Sequence, residues 1–236
     1  MRILVTGKNG QLGRSIQKRV NTDTKIDNNQ SSNDFIFVGR EDLDLSSKSS
    51  ISHYFGNNDK FDIIINCAAF TQVDKAEQEV ELANQINHLA VKQLASIASN
   101  QRARLIHIST DYVFDGESDN PYIVTDTTNP INVYGRTKLA GEKALQALMP
   151  INAIIIRTSW LYSEYGNNFV STMLRLGRER DELSVVNDQM GSPTYAADLA
   201  DAILEIIKHK KFRDLGQTTQ IYNYSIIIFF STVPSS

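Results

Sequence analysis

Short apolar runs alternate with helical spacing along the chain. RILVTG (2–7) reads as a strand that stops at glycine. Behind it, Leu12, Ile16 and Val20 recur every fourth residue, which predicts an amphipathic helix. DFIFVGR (34–40) predicts a second strand. FDIIINCAA (61–69) predicts a third, apolar on both faces, as in a parallel sheet covered on each side. Residues 77–100 place Val80, Ala83, Ile86, Ala90, Leu94 and Ile97 on a helical stripe. ARLIHIST (103–110) and NAIIIRTSW (152–160) are further strands, with a helix over INVYGRTKLAGEKAL (131–145) between them. Helical spacing returns at 168–180 and 195–208, with a short strand at LSVV (183–186). Such alternation defines an α/β fold, a doubly wound parallel sheet of Rossmann type. The polar stretch 21–34 reads as an exposed loop. The end, QIYNYSIIIFFSTVPSS, puts an apolar run where no helix follows. It reads as the abrupt end of a longer design, or as a buried edge strand with a polar tail.

At 236 residues the chain can form one sizeable domain, or one domain with a small second lobe. The net charge of −3 argues against nucleic acid or an anionic membrane surface as partner. Cys67 is the only cysteine, so no disulfide framework exists and a reducing compartment is expected. MRILVTG is too short for the apolar core of a signal peptide, and SIIIFF is too short to span a bilayer. These features predict a cytoplasmic chain with no membrane partner. The four histidines lie apart, without cysteine or paired carboxylate at ligand spacing, so no metal site is predicted.

Candidate chemistry gathers where predicted strands end. Gly7, Gly10 and Gly13 follow the first strand and open the first helix. Glycines there permit a tight turn and let the backbone approach a pyrophosphate held on the helix N-terminus. The second strand ends in Arg40, Glu41 and Asp42. An acid there suits the 2′-hydroxyl of NAD and a base the 2′-phosphate of NADP. Arg40 tilts the reading to NADPH over NADH, because a guanidinium can bracket a phosphate with two parallel bonds. Ala68 and Ala69 after the third strand leave room for a ribose or flat ring against the backbone, or else simply pack a helix. Ser109 and Thr110 close the fourth strand, where open α/β sheets bind ligands. A hydroxyl there can bond a substrate carbonyl, although both residues also favour turns.

Tyr134 and Lys138 stand four apart on a predicted helix, and such pairs are often plain surface packing. A phenol releases its proton only near pH 10, and a close cation lowers that value. The pair therefore suits a proton donor, with Lys138 expected to depress the pKa of Tyr134. It gains weight from the glycine turn and the hydroxyl-ended strand that precede it in order.

The glycine spacing and this order resemble the extended short-chain dehydrogenases/reductases. STDYVFDG, PINVYGRTKLAGEKAL, RTSWLY, GNNFVSTMLRL and LSVVNDQMGSPT resemble, more narrowly, the dTDP-4-dehydrorhamnose reductase family, from residue 1 to about 208. The resemblance implies NAD(P)H-dependent reduction of the C4 keto group of a dTDP-linked 4-keto-6-deoxy sugar, with the chain as monomer or homodimer. It implies catalytic roles for Thr110, Tyr134 and Lys138, with Lys138 also on the nicotinamide ribose. Gly7, Gly10, Gln11, Leu12 and Gly13 would line the pyrophosphate, with Asp44 and Leu45 at the adenine end. Ala68, Ala69 and Phe70 would reach the ribose, though the family often has histidine where Phe70 stands. Ser109, Thr110 and Trp160 would meet the sugar, and NDQMGSPT the thymidine diphosphate. Residues 1–160 would form the dinucleotide-binding domain. Residues 161–236 would form a substrate lobe, partly interleaved with the sheet and incomplete, because relatives run some tens of residues further. Some relatives dimerise through a magnesium ion held by glutamates. Ser15 occupies the expected position here, so no such metal is predicted. Two other readings stay open: a non-catalytic nucleotide-binding regulatory subunit of the same fold, and a reductase or epimerase of another nucleotide sugar.

Overall fold

The computed structural model describes residues 1–23, 33–180, 182, 191–214, 216 and 218–225. The predicted strand at 183–186, much of the polar loop 21–34, residues 187–190 and the final apolar run lie outside them.

Strand β1 (Arg2–Thr6) leads through the glycine turn into α1 (Gln11–Asp23), and then come β2 (Asp34–Val38) and α2 (Lys48–Gly56). After β3 (Ile63–Asn66) lie α3 (Val73–Ala76) and α4 (Val80–Asn84). A π-turn at Gln85–Leu89 then runs into α5 (Ala90–Gln101). Strand β4 (Arg104–Thr110) ends in a 3₁₀ turn at Asp111–Val113, followed by α6 (Val133–Leu148) and β5 (Ala153–Thr158). The rest comprises β6 (Leu161–Tyr162), α7 (Phe169–Glu179), β7 (Thr194–Tyr195), α8 (Ala196–Lys208), α9 (Lys210–Arg213) and β8 (Gln220–Asn223).

Six strands form one parallel sheet in the order β2-β1-β3-β4-β5-β8. The predicted doubly wound architecture is therefore the one observed. Alternation along each strand feeds two cores. Leu4, Ile64, Leu105 and Ile155 face α2, α5 and α6. Ile3, Ile65, Ile106 and Ile156 face α1 and α8, with Ile16, Leu199 and Ile203 opposite them. Each of these buried aliphatic chains contributes about 1.5–3 kcal/mol.

The chain crosses to opposite faces on leaving β1 and β3. That reversal opens a crevice between their carboxyl ends, the place where such sheets bind ligands. Residues beyond 160 add α8 to one face and β8 to the sheet edge. The long helix expected over 77–100 is instead broken by the π-turn, a local widening often found at functional sites.

Candidate active site

The glycine turn lies against the loop after β3. Gly7 has φ +73°, and a Cβ there would come 3.0 Å from the Ala68 amide nitrogen. A Cβ on Gly13 would stand 2.2 Å from the Gly7 carbonyl oxygen. Side chains are thus excluded where α1 presents its free amides. Leu12 and Leu45 are buried core residues, so any cofactor contact at those two positions falls to the backbone. The Gln11 side chain turns away from the loop. Its amide donates to the Leu161 carbonyl (3.0 Å) and its oxygen accepts from Ser163 Oγ (2.9 Å) and Asn168 Nδ2 (3.0 Å). It ties the glycine turn to the cap of α7.

The acids after β2 are engaged. Lys8 Nζ lies 2.5 Å from Asp42 Oδ2 and 2.9 Å from Glu41 Oε1. Asp44 accepts from the hydroxyl and amide of Ser46. The Arg40 side chain is 75% exposed, its Nε 3.5 Å from Asp44 Oδ1.

Helix α6 starts cleanly because Asn132 caps it, accepting from the Gly135 amide at 2.7 Å. Its inward stripe carries Tyr134, Lys138, Glu142 and Leu145. Tyr134 is buried, with its ring edge-on to Tyr112 at 5.5 Å between centroids. Thr110, at the end of β4, acts on the phenol to lower its pKa. Thr110 also donates to Asp111 Oδ1 (3.0 Å) and accepts from the Tyr112 amide (3.2 Å). Burial pushes the Tyr134 phenol up to about 12, against the lowering effect of Thr110, with Asp111 and Tyr112 adding to the rise. This reverses the expectation that Lys138 would lower it. The lysine stem carries Nζ past the phenol to β4, where it donates to the Ile108 carbonyl at 2.6 Å. Burial brings Lys138 down to about 8, opposed by Glu142 and Cys67.

Two hydroxyls at strand ends, Ser109 Oγ and Thr158 Oγ1, are buried with no hydrogen-bond partner among the described residues. Unmet donors at the carboxyl ends of β4 and β5 suit a polar ligand. Trp160 follows with φ +43°, a strained backbone for a bulky residue. Its ring lies 5.6 Å from that of Phe169 and closes on Gly191. Ser192 accepts from Ser159 Oγ at 2.6 Å, which brings part of the NDQMGSPT stretch beside the crevice.

Sequence reasoning missed three buried polar residues. Asn87, in the π-turn, accepts from the Phe70 amide (2.9 Å), donates to the Phe70 carbonyl (3.0 Å) and reaches Thr137 Oγ1 (3.2 Å). It pins the post-β3 loop to α6. Its signal was a polar residue on the stripe between Ala83 and Ala90. His107 and Asn66 were likewise polar positions within two apolar strands. Ser15, which replaces the expected metal ligand, is buried and donates to the Gln11 carbonyl at 2.9 Å.

A parallel sheet, a close-packed glycine turn at its switch point and a buried Tyr–Thr pair beside a lysine define the class: a nicotinamide-dependent oxidoreductase of the short-chain dehydrogenase/reductase type. The chain belongs to the family described as RmlD substrate binding domain, whose model matches residues 1–225. It is 40% identical to a dTDP-4-dehydrorhamnose reductase of Aggregatibacter actinomycetemcomitans over 244 residues, covering 98% of this chain and 79% of that protein. The solved dTDP-4-dehydrorhamnose reductase of Clostridium acetobutylicum shares 42% identity at a TM-score of 0.83, covering 95% of this chain and 74% of that one. That of Bacillus anthracis, solved in complex with NADP, shares 41% at 0.82 with the same coverage.

Proposed function

We propose that the chain uses NADPH to reduce the C4 keto group of dTDP-4-dehydro-β-L-rhamnose, giving dTDP-L-rhamnose for cell-surface polysaccharide. The observation that carries the reading is the buried Tyr134 phenol set beside Thr110 at the carboxyl end of β4, on the crevice that the glycine turn opens.

Gly7, Gly10 and Gly13, the N-terminal amides of α1, Arg40, and the backbone at Ala68, Ala69 and Phe70 would hold the dinucleotide. The close-packed turn and the exposed guanidinium fit it. When bound, NADPH supplies the hydride. The protein's part is to hold the sugar carbonyl and to move one proton. Ser109 donates a hydrogen bond to the C4 oxygen as negative charge grows there, and Thr110 joins it by turning its hydroxyl from Asp111 to that oxygen. Tyr134 gives that oxygen its Oη proton. A phenol at about 12 is adequate for this, because an alkoxide is a stronger base than such a phenolate. Lys138 holds positive charge next to the reacting groups, and Trp160 covers the sugar. We assign sugar binding to the part of residues 161–236 that returns to the end of β5, because Gly191 lies against Trp160 and Ser192 bonds Ser159. The single thiol and the nucleotide cofactor support a cytoplasmic setting.

The test is to mix the chain with NADPH and dTDP-4-dehydrorhamnose, following nicotinamide absorbance and identifying the product by mass. One reduced sugar should appear per NADPH oxidised. Cofactor binding without consumption would overturn the reading.

A further inference from the structure

A line of buried polar groups crosses the sheet beneath the site and ends at Lys138. The Ala68 amide donates to Thr6 Oγ1 (3.3 Å), and Thr6 Oγ1 donates to Asn66 Oδ1 (2.7 Å). Asn66 Nδ2 lies 3.0 Å from His107 Nδ1, and His107 Nε2 lies 3.5 Å from Lys138 Nζ. Thr6, Asn66, His107 and Lys138 are each at most 2% exposed. The line joins β1, β3, β4 and α6, and it starts at the loop expected to meet the cofactor ribose.

An imidazole buried in the sheet needs a reason, and among the described residues the charged group against it is Lys138. Burial drives His107 well below its ordinary value, so the ring stays neutral and carries one proton. Where that proton sits depends on Asn66. With Nδ2 facing the ring, the proton is on Nε2 and points at Nζ, which suits a neutral amine. A half-turn of the amide exchanges its oxygen and nitrogen. The proton then moves to Nδ1, and the Nε2 lone pair accepts from an ammonium. The two arrangements match the two charge states of Lys138.

We propose that His107 is a positioning residue for Lys138, holding its head group below the crevice, and that Asn66 sets the ring tautomer to follow the lysine's charge. The proposal rests on the reductase reading for the part Lys138 plays, but the line of bonds exists in the protein alone. Besides His107, the groups acting on Lys138 are Glu142 from its own helix and the Cys67 thiol after β3. Glu142 is itself held by Arg157 of β5.

The test uses nitrogen-15 NMR of histidine-labelled chain without ligand, read on both sides of the Lys138 midpoint of about 8. The His107 proton should sit on Nδ1 below that midpoint and on Nε2 above it. The same tautomer on both sides overturns the proposal, and this measurement needs no variant to fold and no turnover. His107→Phe removes the acceptor and should lower the Lys138 midpoint, read from its Cε resonance, by about one pH unit. His107→Gln, which keeps an oxygen near the Nε2 position, should restore it. In turnover, His107→Phe should lose about tenfold above neutrality and little below it. An equal loss at every pH, not rescued by glutamine, would mark His107 as packing alone. If the NMR behaves as expected and no chain turns over, the reductase reading fails and the positioning role stands.

Discussion

Arg157 on β5 grips Glu142 on α6 with two bonds, Nη2 to Oε2 at 2.7 Å and Nε to Oε1 at 3.0 Å, and both side chains are buried. The guanidinium also lies 5.1 Å from the centre of the Phe114 ring. Glu142 is one turn beyond Lys138, so this pair sets the seating of α6 on the sheet. Removing one partner leaves a buried charge alone. Glu142→Leu should therefore cost about 3–5 kcal/mol in urea unfolding. Glu142→Leu with Arg157→Leu should cost less than the single change. A double variant that loses the sum of two full penalties would show that the pair is not coupled.

Tyr134→Phe deletes the proposed proton donor but keeps the ring against Tyr112. Turnover should fall by about 10²–10⁴, the usual worth of a positioned acid. Dissociation constants for NADPH should stay near wild type, because the ring packing survives. A variant that retains full turnover would shift the proton transfer to another group, with Asp111 the nearest candidate. Burial raises its carboxyl, against hydrogen bonds from Thr110 and the backbone, so it keeps a proton to higher pH than an ordinary aspartate.

Lys138 gives stability and activity opposite responses to alkali. Its folded value of about 8 lies below the ordinary 10.5, because burial disfavours the ammonium. Between those values the unfolded chain binds more protons than the folded one. Stability from this group therefore rises with pH across that window. Activity that needs the ammonium falls as pH passes about 8. Urea midpoints of wild type and Lys138→Met, compared at either end of the window, should differ in slope by this contribution. Parallel curves would mean that the lysine titrates normally.

The sheet was legible because Ile63, Ile64 and Ile65 form an unbroken apolar run that suits only a strand covered on both faces. The glycine turn was legible because Gly7, Gly10 and Gly13 fall between a strand and a helix. Spacing along α6 put Tyr134 and Lys138 on one face, and the structure buries both. Spacing could not tell where a flexible lysine stem delivers its nitrogen, and the acceptors on β4 took it. Helix α2 escaped notice because KSSISHYFG buries only Ile51 and Phe55. The Asn87 clamp and the Asn66–His107 contact are long-range bonds between side chains. Local periodicity carries no record of them.

We predict that Arg40 decides the choice of cofactor. Glu41 and Asp42, which could have bonded a ribose 2′-hydroxyl, are drawn to Lys8, and the guanidinium is left facing solvent at the end of β2. Hydrogen bonds to a charged phosphate are worth about 1.5–3 kcal/mol, or roughly 10–100-fold in affinity. Arg40→Ala should weaken NADPH by that factor and leave NADH unchanged, read by fluorescence titration of each cofactor. Lys8→Met should act the other way, since it frees Glu41 and Asp42 to bond the 2′-hydroxyl and to repel a 2′-phosphate. Equal weakening of both cofactors by Arg40→Ala would mean that the residue holds the adenine or pyrophosphate instead. Selectivity would then rest on the backbone near Asp44.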